Sequence, residues 1–201
     1  MVHASARALK YWSAISTGVA IAICAVYVTK SPALNAEESQ PQPGRVVNST
    51  LNASPIFGVT IPPGFRDWKL IAVDQLVTGK TDQLRAQLGN EIAIKAYKEG
   101  RVPFPDGAVI AGLHWNRVAS EDNRKVLALE FPDAQSFVVG SAVNVQFMVK
   151  DSKKYAATGG WGFADFKDGK PADEASLKTC FPCHVPAKAH DYVFAKYAAT
   201  P

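Results

Sequence analysis

Three cysteines in 201 residues are too few for a disulfide scaffold, and a chain of this length buries a core without one. One of them, Cys24, lies in an apolar N-terminal run and reads as a small apolar residue with no chemical role. A bias of charge is missing too. The formal net charge is +4, but residues 1–36 hold Arg7, Lys10 and Lys30 and no acid. Those three are part of the 22 basic residues, so the remainder has 19 basic residues against 18 acidic ones. That balance gives no reason to expect nucleic acid or an anionic membrane surface as a partner. Methionine is scarce, with two in the chain, and there are four histidines. No internal repeat is evident. The hydrophobic fraction of 47% and the charged fraction of 20% are ordinary for a globular protein.

What is present begins with a targeting pattern. Arg7 and Lys10 precede an uncharged run from Trp12 to Val28, which Lys30 and Pro32 end. Leu34-Asn35-Ala36 then offers a small residue at a cleavage point. A positive start, an apolar middle and a small-residue exit describe a secretory signal over residues 1–36. The run is long for a signal and slightly short for a comfortable span, so an uncleaved N-terminal membrane anchor is the alternative. Either reading places the rest of the chain outside the cytoplasmic membrane, in the periplasm. Residues 37–54, rich in Gln, Pro, Ser and Asn, bury too little apolar surface to fold alone and read as a flexible linker. Residues 55–201 form the folded domain.

Within that domain Pro62-Pro63-Gly64 marks a turn and Trp68 to Val73 reads as a strand. Asp82 is positioned to cap a short helix through Leu88. Asn90 can cap the next helix, in which Leu88, Ile92 and Ala96 would share a face, and Gly100 ends it. Strands follow at Ala108 to Trp115, Lys125 to Phe131 and Val143 to Val149, and the Gly-rich aromatic segment Thr158 to Phe166 is another. Pro186 to Tyr197 reads as a closing helix. Consecutive strands with short turns predict an α+β fold, mainly antiparallel β-sheet with a few flanking helices and a C-terminal helix.

The chemistry concentrates in Cys180-Phe181-Pro182-Cys183-His184, the attachment pattern for haem c. Two thiols at this spacing can each form a thioether to a vinyl group of one haem, and the adjacent imidazole can then bind the iron. A thioredoxin-type dithiol belongs in a βαβ setting, which this chain lacks. A structural zinc site needs four ligands, and Cys180, Cys183 and His184 supply three. Cys180 and Cys183 are therefore the cofactor-binding candidates and His184 the metal ligand. An electron carrier adds a Met or a second His opposite the first. Past the N-terminal segment the chain offers Met148, His114 and His190. His190 falls on the same side as His184, and His114 and Met148 sit in expected strands, where a core or half-exposed role is commoner than ligation. This leaves an open or weakly occupied sixth position.

The order of motifs across Phe57 to Tyr197 resembles the cytochrome P-460 family, which includes the cytochromes c′-beta. The residues that carry the resemblance are Pro62 to Trp68, Leu84-Arg85-Ala86, Phe104 to Gly107, Val149 to Tyr155, Gly160 to Phe163, the haem motif and Val193 to Tyr197. The resemblance implies a mainly antiparallel β fold, a homodimer and one five-coordinate haem that binds nitric oxide. It also implies, in the P-460 members, hydroxylamine oxidation and a lysine joined to the haem. The lysine position falls at Gly112, which has no amine. The distal carboxylate position falls at Gln146, which cannot act as a general base. The pocket arginine corresponds to Arg85. Arg85 and Gln146 are thus the distal pocket candidates, and the chain looks more like the members without the cross-link. The expected function is binding of nitric oxide or a similar nitrogen-oxide or gaseous ligand. The alternatives are a hydroxylamine-oxidising oxidoreductase and a simple electron-transfer cytochrome with a redox partner protein.

Overall fold

A computed structural model describes residues 52–198; the signal or anchor at 1–36 and residues 37–51 of the linker lie outside the described residues. Six strands form one antiparallel sheet in strictly sequential order. They are β1 (Lys69–Val77), β2 (Asp82–Gly89), β3 (Val109–Ala119), β4 (Phe137–Lys150), β5 (Trp161–Lys167) and the two-residue β6 (Lys170–Pro171). Helix α1 (Glu91–Lys98) joins β2 to β3, and α2 (Glu121–Leu127) joins β3 to β4. After β6 come α3 (Glu174–Leu177), α4 (Cys180–His184) and a 3-10 segment, Val185–His190. The expected α+β class with a mainly antiparallel sheet is what the chain adopts.

Register sorts the sheet into two chemically different rows. Leu88, Ala111, Phe147 and Ala164 are aligned across β2 to β5, and the last three are buried. One residue along, Gln87, Gly112, Gln146 and Asp165 are aligned on the opposite face, because side chains alternate along a strand. Next on that second face stand Ile110, Met148 and Phe163, all buried. The apolar residues make one continuous core, into which Phe65, Trp68, Cys180, Phe181 and Tyr192 pack from outside the strands.

Asn90 caps α1 as expected: its Oδ1 accepts from the backbone N–H of Ala93 at 2.9 Å and of Val109 at 3.1 Å, and its Nδ2 donates to the Gly107 carbonyl at 2.8 Å. One side chain therefore satisfies the helix start and pins it to β3. The buried side chains of α1 are Ala93, Ile94 and Ala96, while Ile92 is largely exposed.

Three segments differ from the sequence reading. Residues 82–89 form β2, not a helix. Their residues have good helix propensity, but pairing with β1 and β3 on both sides overrides a preference worth tenths of a kcal/mol per residue. Lys125 to Phe131 is not a strand: α2 runs through Leu127 and turns follow. Ser120 accepts from the Asn123 N–H, and Glu121 and Asp122 occupy the first turn, so the start is capped and its dipole complemented. The closing helix is shorter than Pro186 to Tyr197. The helical segment after the motif ends at His190, and Asp191 and Tyr192 both turn left-handed, with φ of 52° and 65°.

Candidate haem-binding site

The haem motif is delivered by two short helices. Asp173 caps α3 through the Ser176 N–H at 2.7 Å, and Leu177 anchors it by burial. The Thr179 hydroxyl donates to the Ser176 carbonyl at 2.7 Å, and the chain enters α4 directly. On a helical turn residues three and four apart are neighbours, so Cys180 has Cys183 and His184 on its own face. The structure thus brings all three motif residues together. Both thiols are free, with Cys183 exposed and Cys180 half-buried.

His184 is oriented by the chain that follows it. Its Nδ1 lies 2.7 Å from the Tyr192 carbonyl oxygen. A carbonyl only accepts, so Nδ1 carries the proton and Nε2 keeps its lone pair for a metal. The ring sits between Phe163 and Phe194, each with its centroid 5.2 Å away. Phe181 packs 5.3 Å from Tyr192 and 6.4 Å from Phe163. Burial in this aromatic setting lowers the His184 pKa below its ordinary value, against the opposing pull of the Tyr192 carbonyl. A neutral imidazole is the form that binds iron. Burial, with the charges of Asp165 and Cys183 adding to it, pushes the Cys180 thiol up to about 11. Cys180 is therefore a protonated, weakly nucleophilic thiol at neutral pH.

The influence of Asp165 on Cys180 ties the motif to the polar rows of the sheet. Asn144 Nδ2 donates to both Asp165 oxygens, at 2.9 and 2.8 Å, and Gln146 Nε2 donates to Oδ2 at 3.0 Å. Across the sheet the Arg85 guanidinium pairs with Asp74 at 2.6 Å, and Gln87 Nε2 donates to the same carboxylate at 2.8 Å. Arg85, His114 and Asn144 are aligned in one row, next to the row of Gln87, Gly112, Gln146 and Asp165. Gly112 makes room for His114, whose Nε2 would lie 3.2 Å from a Cβ added there. Burial and then Arg85 lower the His114 pKa, with the Asn144 side chain and then the carboxylates of Asp165 and Asp74 pulling the other way. Gln87 Oε1 and Asn144 Oδ1 are buried without a hydrogen-bond partner, an unusual state for polar atoms.

The two sequence-predicted distal residues, Arg85 and Gln146, thus lie on adjacent rows of one face. Met148 is a buried core residue beside Phe163, and His190 lies on the exposed 3-10 segment. Sequence reasoning missed Asp165, Asn144, Gln87 and Asp74. The signal was present in β2, where Gln83, Arg85 and Gln87 alternate with Leu84, Ala86 and Leu88.

The residues present fit a haem: two unpaired thiols, an imidazole with one nitrogen committed and one free, and aromatic side chains around them. Among the described residues no group of three or more His, Cys, Asp or Glu converges as a bare-metal site. A family model, Cytochrome P460, matches residues 62–195, from the turn before β1 to the segment after the motif.

The chain belongs to the cytochrome P460 family. No curated protein matches it. As a cytochrome P460 family member it is a c-type haem protein with one covalent haem and its iron. When bound, the haem supplies a redox-active iron. Among the described residues no helix is long and apolar enough to cross a membrane.

Proposed function

We propose that this cytochrome P460 family protein is an exported, periplasmic binder of nitric oxide or a similar small ligand. In this reading Cys180 and Cys183 carry the haem thioethers, His184 holds the iron on one side, and the other side is open. The observation that carries the reading is the His184 arrangement: the Tyr192 carbonyl holds Nδ1–H and leaves Nε2 free. Of the other candidate ligands, Met148 is committed to the core, and His114 packs over Gly112 in the same row as Arg85. On the polar face Gln146 can offer an amide to a bound ligand, and Arg85 keeps a positive charge nearby while paired to Asp74. A homodimer belongs to the reading and would cover exposed apolar side chains such as Val73, Val77, Leu129 and Phe131.

The test is the visible spectrum of the purified ferrous protein. Broad, unsplit bands that shift on adding nitric oxide or carbon monoxide support the open site. Sharp, split bands at rest would mean a six-coordinate iron and would overturn it in favour of electron transfer.

One observation favours a second reading, oxidation of hydroxylamine. Gln146 cannot accept a proton as a base, but Asp165 stands directly beside it on β5 and is hydrogen-bonded to it. That carboxylate can take protons from a nitrogen substrate on this face. Turnover of hydroxylamine with an electron acceptor, above the rate of free haem, is the measurement that decides.

A further inference from the structure

We infer that the buried Lys150–Asp191 ion pair is a positioning device for His184: it fixes the Tyr192 carbonyl that holds Nδ1–H, and so sets how strongly Nε2 donates to the iron. The inference rests on the reading of His184 as the iron ligand.

Every polar group of Asp191 is committed. Its carboxylate accepts from Lys150 Nζ at 2.8 Å through each oxygen, and Oδ2 also accepts from the Phe104 N–H at 2.8 Å. Its carbonyl accepts from Trp161 Nε1 at 2.8 Å, and its N–H donates to the Lys188 carbonyl at 3.1 Å. Lys150 is held in turn by the Gly159 carbonyl at 3.0 Å and lies 5.0 Å from the Trp161 ring centroid. The two side chains are 5% and 6% exposed.

This set of bonds acts on the next peptide. Asp191 and Tyr192 are consecutive non-glycine residues with positive φ, a conformation that persists when the surroundings over-determine it. The Tyr192 ring lies against Gly159, where a Cβ would collide with it, and the Tyr192 N–H donates to Ala187 at 2.9 Å. The result is a carbonyl aimed at His184 from a loop that Asp191 ties to β4 through Lys150 and to β5 through Trp161. A buried ion pair is a poor device for stability alone, since apolar replacements are often as stable. A ligand's outer hydrogen bond, by contrast, tunes the metal directly.

The experiment uses the holoprotein. Asp191→Asn keeps the shape and an acceptor for Phe104 but removes the charge; Lys150→Met removes the other partner. For each, the midpoint potential and the iron–histidine stretching frequency of the ferrous protein are measured. A weaker Nδ1–H bond makes the imidazole a poorer donor. The potential should rise, with the ferric-to-ferrous equilibrium moved by about tenfold, about 59 mV for one electron, and the stretching frequency should fall. Both readouts unchanged, with only the melting temperature lowered, would show a merely structural pair and overturn the inference. If neither variant accumulates holoprotein, Trp161→Phe removes the donor to the Asp191 carbonyl while keeping an aromatic ring. The same two readouts then decide in the same directions. His184→Ala separates the two levels. An unaltered spectrum there removes the ligand assignment itself, whereas an altered one alongside an Asp191→Asn protein of wild-type potential removes only the positioning role.

Discussion

His184 Nδ1 and the carbonyl oxygen of Tyr192 are 2.7 Å apart, so the residue that would hold the iron is oriented by backbone eight positions further on. Backbone is a durable partner for a metal-binding imidazole, because no side-chain substitution at Tyr192 deletes it.

The thiols should separate by substitution. Cys180→Ala and Cys183→Ala each leave one thioether, and the double variant leaves none. Mass spectrometry of the denatured protein should show one haem retained in each single variant and loss of that whole mass in the double. Covalent haem in the double variant would refute the assignment of both cysteines.

Gly112 and His114 should be coupled. Gly112→Ala places a Cβ 3.2 Å from His114 Nε2, and displacing the ring should cost about 1 kcal/mol. Adding His114→Ala should recover most of that loss, a non-additivity visible in a double-mutant cycle of denaturant unfolding. Additive effects would mean that the two positions do not share the space.

His114 should also give the protein an acid-sensitive stability. Its folded-state pKa lies below the ordinary 6.5, chiefly through burial. The unfolded chain therefore binds a proton more readily than the folded one. The stability held by neutral His114 is present above the unfolded value and is lost as pH falls through it toward the folded value. His114→Gln should have a smaller fall in melting temperature between about pH 8 and pH 5 than the parent. An identical fall would remove His114 from the account.

Asn90→Ala should lower stability by about 2 kcal/mol, as a lost N-cap leaves the first turn of α1 unsatisfied and unpins it from β3. The visible spectrum of the holoprotein should be unchanged, since the Asn90 side chain bonds only to Ala93, Gly107 and Val109 and to no residue of the haem motif. Chemical denaturation and an absorption spectrum check the two halves of this prediction.

Asp165→Asn divides the two functional readings. Loss of the carboxylate should abolish most hydroxylamine turnover if Asp165 is the base, and should leave nitric oxide binding largely intact. Equal turnover in both proteins would remove Asp165 from that role.

The Asn90 cap, the central strands and the haem motif were legible because each rests on local signals: a capping side chain, a period of two, a fixed spacing. β2 was not, although Leu84, Ala86 and Leu88 alternate with Gln83, Arg85 and Gln87. Its polar residues are partly or fully buried, with Arg85 and Gln87 bonded to Asp74, instead of facing open solvent, so the alternation looked like helix composition. The apolar alternation Val126 to Phe131 misled in the other direction, since Val126, Leu129 and Phe131 are exposed. Arg85 and Gln146 came from resemblance, while Asp165 needed the register of β4 against β5. The left-handed turn at Asp191 was hidden for a similar reason: what holds it comes from Phe104, Lys150 and Trp161, all distant in sequence.

The sheet's sequential strand order has a temporal consequence. Each strand pairs with its immediate predecessor, and Cys180 comes after the last of them. A chain that emerges N-terminus first can add each strand to the one just made, across a turn between β1 and β2 and across the segments that carry α1 and α2 before β3 and β4. The thiols therefore follow every strand of the sheet, and the segment that carries them, from Asp173 to Ala195, is made after all the strands on which it packs.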